Sequence, residues 1–199
     1  AAYNANFDKA FLLGELTRAK ADGGGAPALT RDVEWLDPLV WARDIQKDYG
    51  RFGLQWGYGS SPLLHEDSLY VQVLHGMRTD DPSYLLRIDK TDGRTLWRVE
   101  RPTMAQFESP DAYSTPALLR YGRTTEIVIT GGDVVTGHDP VDGRELWRAD
   151  GLNPTGNGSF RIVASPVVHG DLIFAPSRER PLLALKPGGR GDVTRSHVL

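Results

Sequence analysis

No cysteine occurs anywhere in the 199-residue chain. Disulfides, thiolate catalysis and cysteine metal sites are therefore excluded, while the redox compartment stays open. Long apolar runs are missing too: none approaches the roughly 20 residues that a helical bilayer span needs. Charge of one sign is not in excess either, with 23 Lys and Arg against 26 Asp and Glu and a formal net charge of -3. That balance leaves no electrostatic footprint for nucleic acid, and no clustered Lys/Arg run suggests anionic lipid. An initiator Met and a cationic-then-apolar leader are also missing, so both ends read as cut and any signal peptide as lying upstream.

What is present suits a soluble β-rich fold. Apolar residues make up 40% and charged residues 25%, too apolar for wholesale disorder. The 22 glycines and 13 prolines fit many short strands joined by tight turns. Residues 1–34 read differently from the rest. Phe7, Phe11, Leu12 and Leu16 fall near helical spacing, which fits a short amphipathic helix over about 6–20, broken by Asp22-Gly23-Gly24-Gly25-Ala26-Pro27. A frayed or displaced terminal segment fits equally. From residue 35 the signal is short β-rich runs: Leu69–Leu74, Tyr84–Ile88, Glu126–Thr130 and Asp171–Phe174, each bounded by turn formers. No helix of ten or more residues is expected after residue 46.

Internal repetition decides the architecture. Three segments open alike, as Ser60-Ser61-Pro62, Ser114-Thr115-Pro116 and Ala164-Ser165-Pro166. The first two run, after two further strands, into matching closing phrases, Asp89-Lys90-Thr91-Asp92-Gly93-Arg94-Thr95-Leu96-Trp97-Arg98 and Asp139-Pro140-Val141-Asp142-Gly143-Arg144-Glu145-Leu146-Trp147-Arg148, set 50 residues apart. Trp41 lies 21 residues before Pro62, and Trp97 and Trp147 lie 19 before Pro116 and Pro166. The register therefore predicts a blade-closing strand at 38–45, blades at 60–101 and 113–150, and an incomplete blade at 163–199 that stops at Leu199, where a closing Trp falls due.

About 50 residues with four short strands is one up-and-down antiparallel sheet. Such a sheet has two partly apolar faces and cannot bury both alone; radial stacking lets each blade cover its neighbour. The expected fold is all-β, a partial β-propeller of about three four-stranded antiparallel blades in an open arc spanning 35–199. Trp41, Trp97 and Trp147 are expected to be the apolar plates between blades, each with an indole N–H that needs a partner when buried. Asp89, Gly93, Asp139 and Gly143 set the turns into the outermost strands, glycine tolerating positive φ.

The closing phrase resembles the tryptophan-docking repeat of the quinoprotein (PQQ-like) β-propellers, roughly Ala-x-Asp-x-x-Thr-Gly-Lys-x-x-Trp. Asp89, Gly93, Arg94 and Trp97 match in one blade, and Asp139, Gly143, Arg144 and Trp147 in the next. Arg87 and Gly137 stand at the first position, Asp92 and Asp142 replace the Thr, and Lys186 replaces the acid of the third unit. Its phrase Lys186-Pro187-Gly188-Gly189-Arg190-Gly191-Asp192 is similar to a variant of bacterial extracytoplasmic propellers. The resemblance covers about residues 38–199 and implies a periplasmic or secreted binding or scaffold module with no cofactor, whose remaining blades are missing from this chain. In the enzyme branch the resemblance implies pyrroloquinoline quinone and calcium in an axial channel under a vicinal cysteine disulfide; that disulfide has no counterpart here. The alternative reading is a fragment of such a PQQ-dependent dehydrogenase with its catalytic residues elsewhere.

Little other chemistry stands out. His65, His75, His138, His169 and His197 show no paired metal-ligand spacing, and no Gly-x-Ser-x-Gly elbow or phosphate loop occurs. In a propeller the loops entering each blade's first strand form one mouth of the axial channel. Here these are 53–61, 102–115 and 151–164, and Trp56, Tyr58, Asp111, Tyr113 and Arg161 are the candidate contacts for a protein partner or small ligand. Trp56 and Tyr58 packing between blades is an equal alternative. An arc with open ends is expected to associate when expressed alone.

Overall fold

The computed structural model describes residues 43–199. Trp41 and the segment 1–34 lie outside the described residues. Three antiparallel sheets follow in chain order. The first contains β1 (Leu63–His65), β2 (Ser68–Val73), β3 (Tyr84–Asp89) and β4 (Thr95–Glu100), hydrogen-bonded in that order. The second contains β5 (Ala117–Tyr121), β6 (Thr124–Gly131), β7 (Val134–His138) and β8 (Glu145–Ala149), again in sequence order. The third has β9 (Val167–His169), β10 (Leu172–Pro176) and β11 (Leu182–Leu185). The inner strands β1, β5 and β9 adjoin in sequence order, so the sheets are successive blades of an open propeller arc.

The repeat is visible at atomic detail. In both complete blades the pairing of the last two strands shifts register at one place, between Arg87 and Ile88 and between Gly137 and His138. Both closing turns are built identically. The Asp89 carboxylate accepts from Thr91 N at 2.8 Å and that of Asp139 from Val141 N at 2.8 Å. Asp92 and Asp142 each accept from the following Arg backbone N–H at 3.0 Å. Gly93 and Gly143 take φ of 74° and 79°, which a side chain would oppose.

Alternation along the strands assigns each face a neighbour. In the first blade Tyr70 and Leu85 join the large core shared with the second blade, which includes Leu119, Ile127, Ile129 and Val135. Val71, Val73, Tyr84, Leu86 and Ile88 form a separate cluster, covered by Ile45, Tyr49, Phe52 and Tyr58. The segment before the first blade therefore caps its other face. Part of that cap is a short helix, α1 (Ile45–Tyr49), started by the Asp44 side chain, which accepts from Gln46 N and Lys47 N, and closed by Gly50. The strand expected over 38–45 is thus corrected at its described end: Arg43 and Asp44 join no strand, Asp44 serving as the extended N-cap, and Ile45 begins a helix. An Asp cap ahead of Gln-Lys-Asp favours the helix locally, and Tyr49 needs that turn to reach Tyr84 and Thr95.

The third unit departs from its own repeat. After β11 the chain leaves the blade, and Gly191–Asp192 (β12) pairs in parallel with Trp147 and Arg148 on the outer edge of the second blade. It then returns, and Val198 bridges Leu185 in the position that Thr95 holds opposite Ile88.

Candidate functional site

The recurring residues build joints between blades. Trp97 lies over the turn of the next blade. A Cβ on Gly143 would come within 2.8 Å of its ring, and its indole N–H points to the Pro140 carbonyl at 3.4 Å. Tyr70 OH donates to the same carbonyl at 3.1 Å. Trp147 lies differently, over Gly137 of its own sheet, where any Cβ would overlap the indole, and it is 3% exposed. Its N–H donates at 2.6 Å to Glu126, a fully buried carboxylate that also accepts from Tyr121 OH at 2.7 Å and pairs with Arg190 of the third unit at 3.1 Å. The residue opposite the indole decides the difference. Arg87 fills the space above Trp97's own sheet and itself reaches Pro140 and Val141 of the next blade.

Two further groups close the first joint. Arg101, at the end of the first blade, is fully buried and donates to Thr136 Oγ1, Gly131 O and Val134 O at 2.8, 3.0 and 3.1 Å. Burial pulls its guanidinium down to about 10. His138 Nδ1 faces the Gly143 carbonyl at 3.0 Å and must carry the proton there, leaving Nε2 to accept from Thr136 Oγ1 at 3.0 Å. Burial lowers the His138 imidazole to about 4. The opening phrases do related work on the inner rim: Ser61 N donates to Thr115 Oγ1 at 3.0 Å and Thr115 N to Ser165 Oγ at 2.8 Å, linking three blades in one direction.

At the mouth, the second and third entry loops are stitched together by a parallel bridge between Ala112 and Ile162 and by Tyr113 N donating to Ile162 O at 3.0 Å. Trp56, Tyr113 and Arg161 come together around a cleft of about 370 Å³, completed by Val163 and Arg178. Trp56 is 72% exposed and Val163 63%. Arg161 is held by Glu108 at 2.9 Å and by Gln55 and Met77, and its Nε is buried with no partner. The Tyr113 hydroxyl is buried beside the Trp56 backbone without a well-formed hydrogen bond, and burial pushes the phenol up. Phe107, 78% exposed, takes φ of 59°, a conformation uncommon for a bulky residue.

Two candidates are placed elsewhere. Tyr58 belongs to the cap over the first blade: its ring packs on Phe52 and its OH donates to Gln72 O at 2.9 Å. Desolvation there raises its phenol strongly. Asp111 is fully buried, and its carboxylate is taken up by the backbone N–H groups of Gln55, Gly76 and Met77 at 3.0, 3.1 and 3.1 Å. It fastens the loops and does not line the cleft. Val163, Arg178 and the buried Glu126 and Arg101 were not singled out from sequence. Arg178 sits in the β10–β11 hairpin, outside the three loops considered, so no local signal marked it.

The quinone–calcium pair of the enzyme branch does not fit these residues. Calcium takes six to eight oxygens, and among the described residues no three His, Asp or Glu side chains converge. Asp111, the acid among the candidate mouth residues, already accepts three backbone hydrogen bonds.

Comparison with known proteins places this geometry. The family described as outer membrane protein assembly factor BamB matches residues 39–195. A solved structure, BamB from Moraxella catarrhalis, is similar at 18% identity and a TM-score of 0.43, over 63% of this chain and 36% of that one. The chain thus spans about a third of the length of that protein. No curated protein sequence matches.

Proposed function

The chain belongs to the family described as outer membrane protein assembly factor BamB, and from that premise we propose that it is a binding and scaffold module that holds a polypeptide partner at the mouth of its propeller arc. The observation that carries this reading is the cleft where Trp56, Tyr113 and Arg161 meet. A large, mostly exposed indole beside a braced guanidinium is the composition of a contact surface, since Trp, Tyr and Arg dominate binding hot spots. The joints supply rigidity and the mouth supplies contacts. The family's outer-membrane description supports an extracytoplasmic location, and among the described residues no helix is long and apolar enough to cross a membrane.

The test is an immobilised array of mixed-composition peptides probed with the wild-type chain and with Trp56→Ala and Arg161→Ala. The wild type is expected to retain a subset of peptides that both variants lose, with unchanged circular dichroism. Retention that survives both substitutions removes the mouth as the binding face; an array with no binder removes the peptide-binding function.

A further inference from the structure

A second cavity, of about 380 Å³, lies next to the cleft, between the cap and the first blade's β2–β3 loop, lined by Arg51, Phe52, Leu54, Arg78 and Asp81 among others. It adjoins the first through Gln55 and Met77, the chain neighbours of Leu54 and Arg78, both of which touch Arg161. Neither Arg51 nor Arg78 has an ion pair or side-chain hydrogen bond among the described residues. Most other arginines here are engaged: Arg43, Arg94, Arg98, Arg144, Arg148, Arg161 and Arg190 are ion-paired, and Arg101 is enclosed by carbonyls. Two unengaged guanidiniums beside a cavity, in a chain of net charge -3, are a localised cationic spot.

Resting on the reading above, we propose that the ligand of this face is an extended acidic polypeptide segment, with an aromatic or aliphatic side chain against Trp56 and Val163 and carboxylates meeting Arg78 and Arg51. Guanidinium pairs carboxylate bidentately, which fixes register along a peptide as well as supplying attraction. Phosphate-rich nucleic acid would use the same arginines and stack on Trp56. The negative chain charge and the acids Asp81 and Glu108 at the rim disfavour a polyphosphate and tolerate isolated carboxylates.

The probe is a fluorescein-labelled decapeptide with one central Phe flanked by alternating Ser and Glu, compared with the same peptide carrying Gln for Glu and with a labelled ten-nucleotide oligo-dT. Fluorescence anisotropy is expected to show saturable binding of the acidic peptide, weakening as salt rises, and about tenfold weaker binding of the Gln peptide. The double variant R51A/R78A is expected to erase that preference while leaving the Gln peptide's affinity unchanged. Equal affinity of the two peptides, with both lost in Trp56→Ala, overturns the acidic preference and leaves the binding face standing. No binding of either peptide, or tighter binding of oligo-dT, overturns this inference outright. Neither arginine has an ion pair or side-chain hydrogen bond among the described residues, so their removal is not expected to perturb folding, and a melting curve on the double variant checks this.

Discussion

The joints between blades and the mouth of the arc use the same residue types to opposite ends. At the joint between the second and third blades, Trp147 is buried and its N–H is taken by Glu126, whose second oxygen is held by Tyr121 and Arg190. At the mouth Trp56 is mostly exposed, and in the cavity beside it Arg51 and Arg78 have no ion pair or side-chain hydrogen bond among the described residues. A protein interior satisfies its polar groups because leaving one unmade costs about 1–3 kcal/mol. Indole and guanidinium left open on one face are therefore the residues available to something else. The joints hold the buried, satisfied contacts, and the mouth is the face we propose for binding.

That division can be broken by substitution, and the joints should respond most. Trp147→Ala removes a buried indole and leaves the Glu126 carboxylate without its 2.6 Å donor. We expect a loss of about 3–5 kcal/mol in urea unfolding; a loss below about 1 kcal/mol would mean that the indole is not a joint. Gly137→Ala should cost about 1–3 kcal/mol by overpacking, because the new methyl overlaps the Trp147 ring. Trp97→Ala, at the half-buried joint, should cost less than Trp147→Ala, and a reversed order in the same assay would contradict the two geometries.

A subtler effect distinguishes the joints by pH. His138 is buried neutral and lowered to about 4 from an ordinary 6.5. The unfolded chain therefore binds a proton first as pH falls. The stability this group contributes is full above 6.5, is lost between 6.5 and about 4, and does not fall further below that. His138→Gln should flatten the decline in melting temperature between pH 6.5 and 5 relative to wild type. Parallel pH profiles would show that the imidazole is not held neutral at the first joint.

The sequence made the blades legible because their signals are local. Each β-rich run and each Asp-Gly turn lies within one sheet, and the 50-residue recurrence carries the pattern from the first sheet to the second; their strands span 63–100 and 117–149. The departures all involve partners distant in the chain. Arg43–Ile45 continued a strand pattern by repeat analogy, but the segment following it must cover Val71, Val73, Tyr84 and Leu86, which a short capped helix and the chain after it accomplish. Asp111 reads as a candidate contact because nothing nearby in sequence shows the Gln55, Gly76 and Met77 amides converging on it. Tyr58 followed the alternative of packing against a blade. Of the five candidate mouth residues, Trp56, Tyr113 and Arg161 meet in one cleft, whereas its other cation, Arg178, arrives from the next hairpin. Gly137, in the Ala position of the repeat, marks the space that Trp147 fills, a sign readable only once the cross-strand register is known.

The most direct trial of the division between joints and mouth is a paired measurement on Trp56→Ala, urea unfolding and anisotropy with the acidic decapeptide on one preparation. We expect stability within about 0.5 kcal/mol of wild type, as for an exposed side chain, together with an affinity loss of about tenfold or more. A stability loss above about 2 kcal/mol with unchanged peptide affinity would contradict the account, because Trp56 would then belong to the scaffold and the mouth would have lost its central contact.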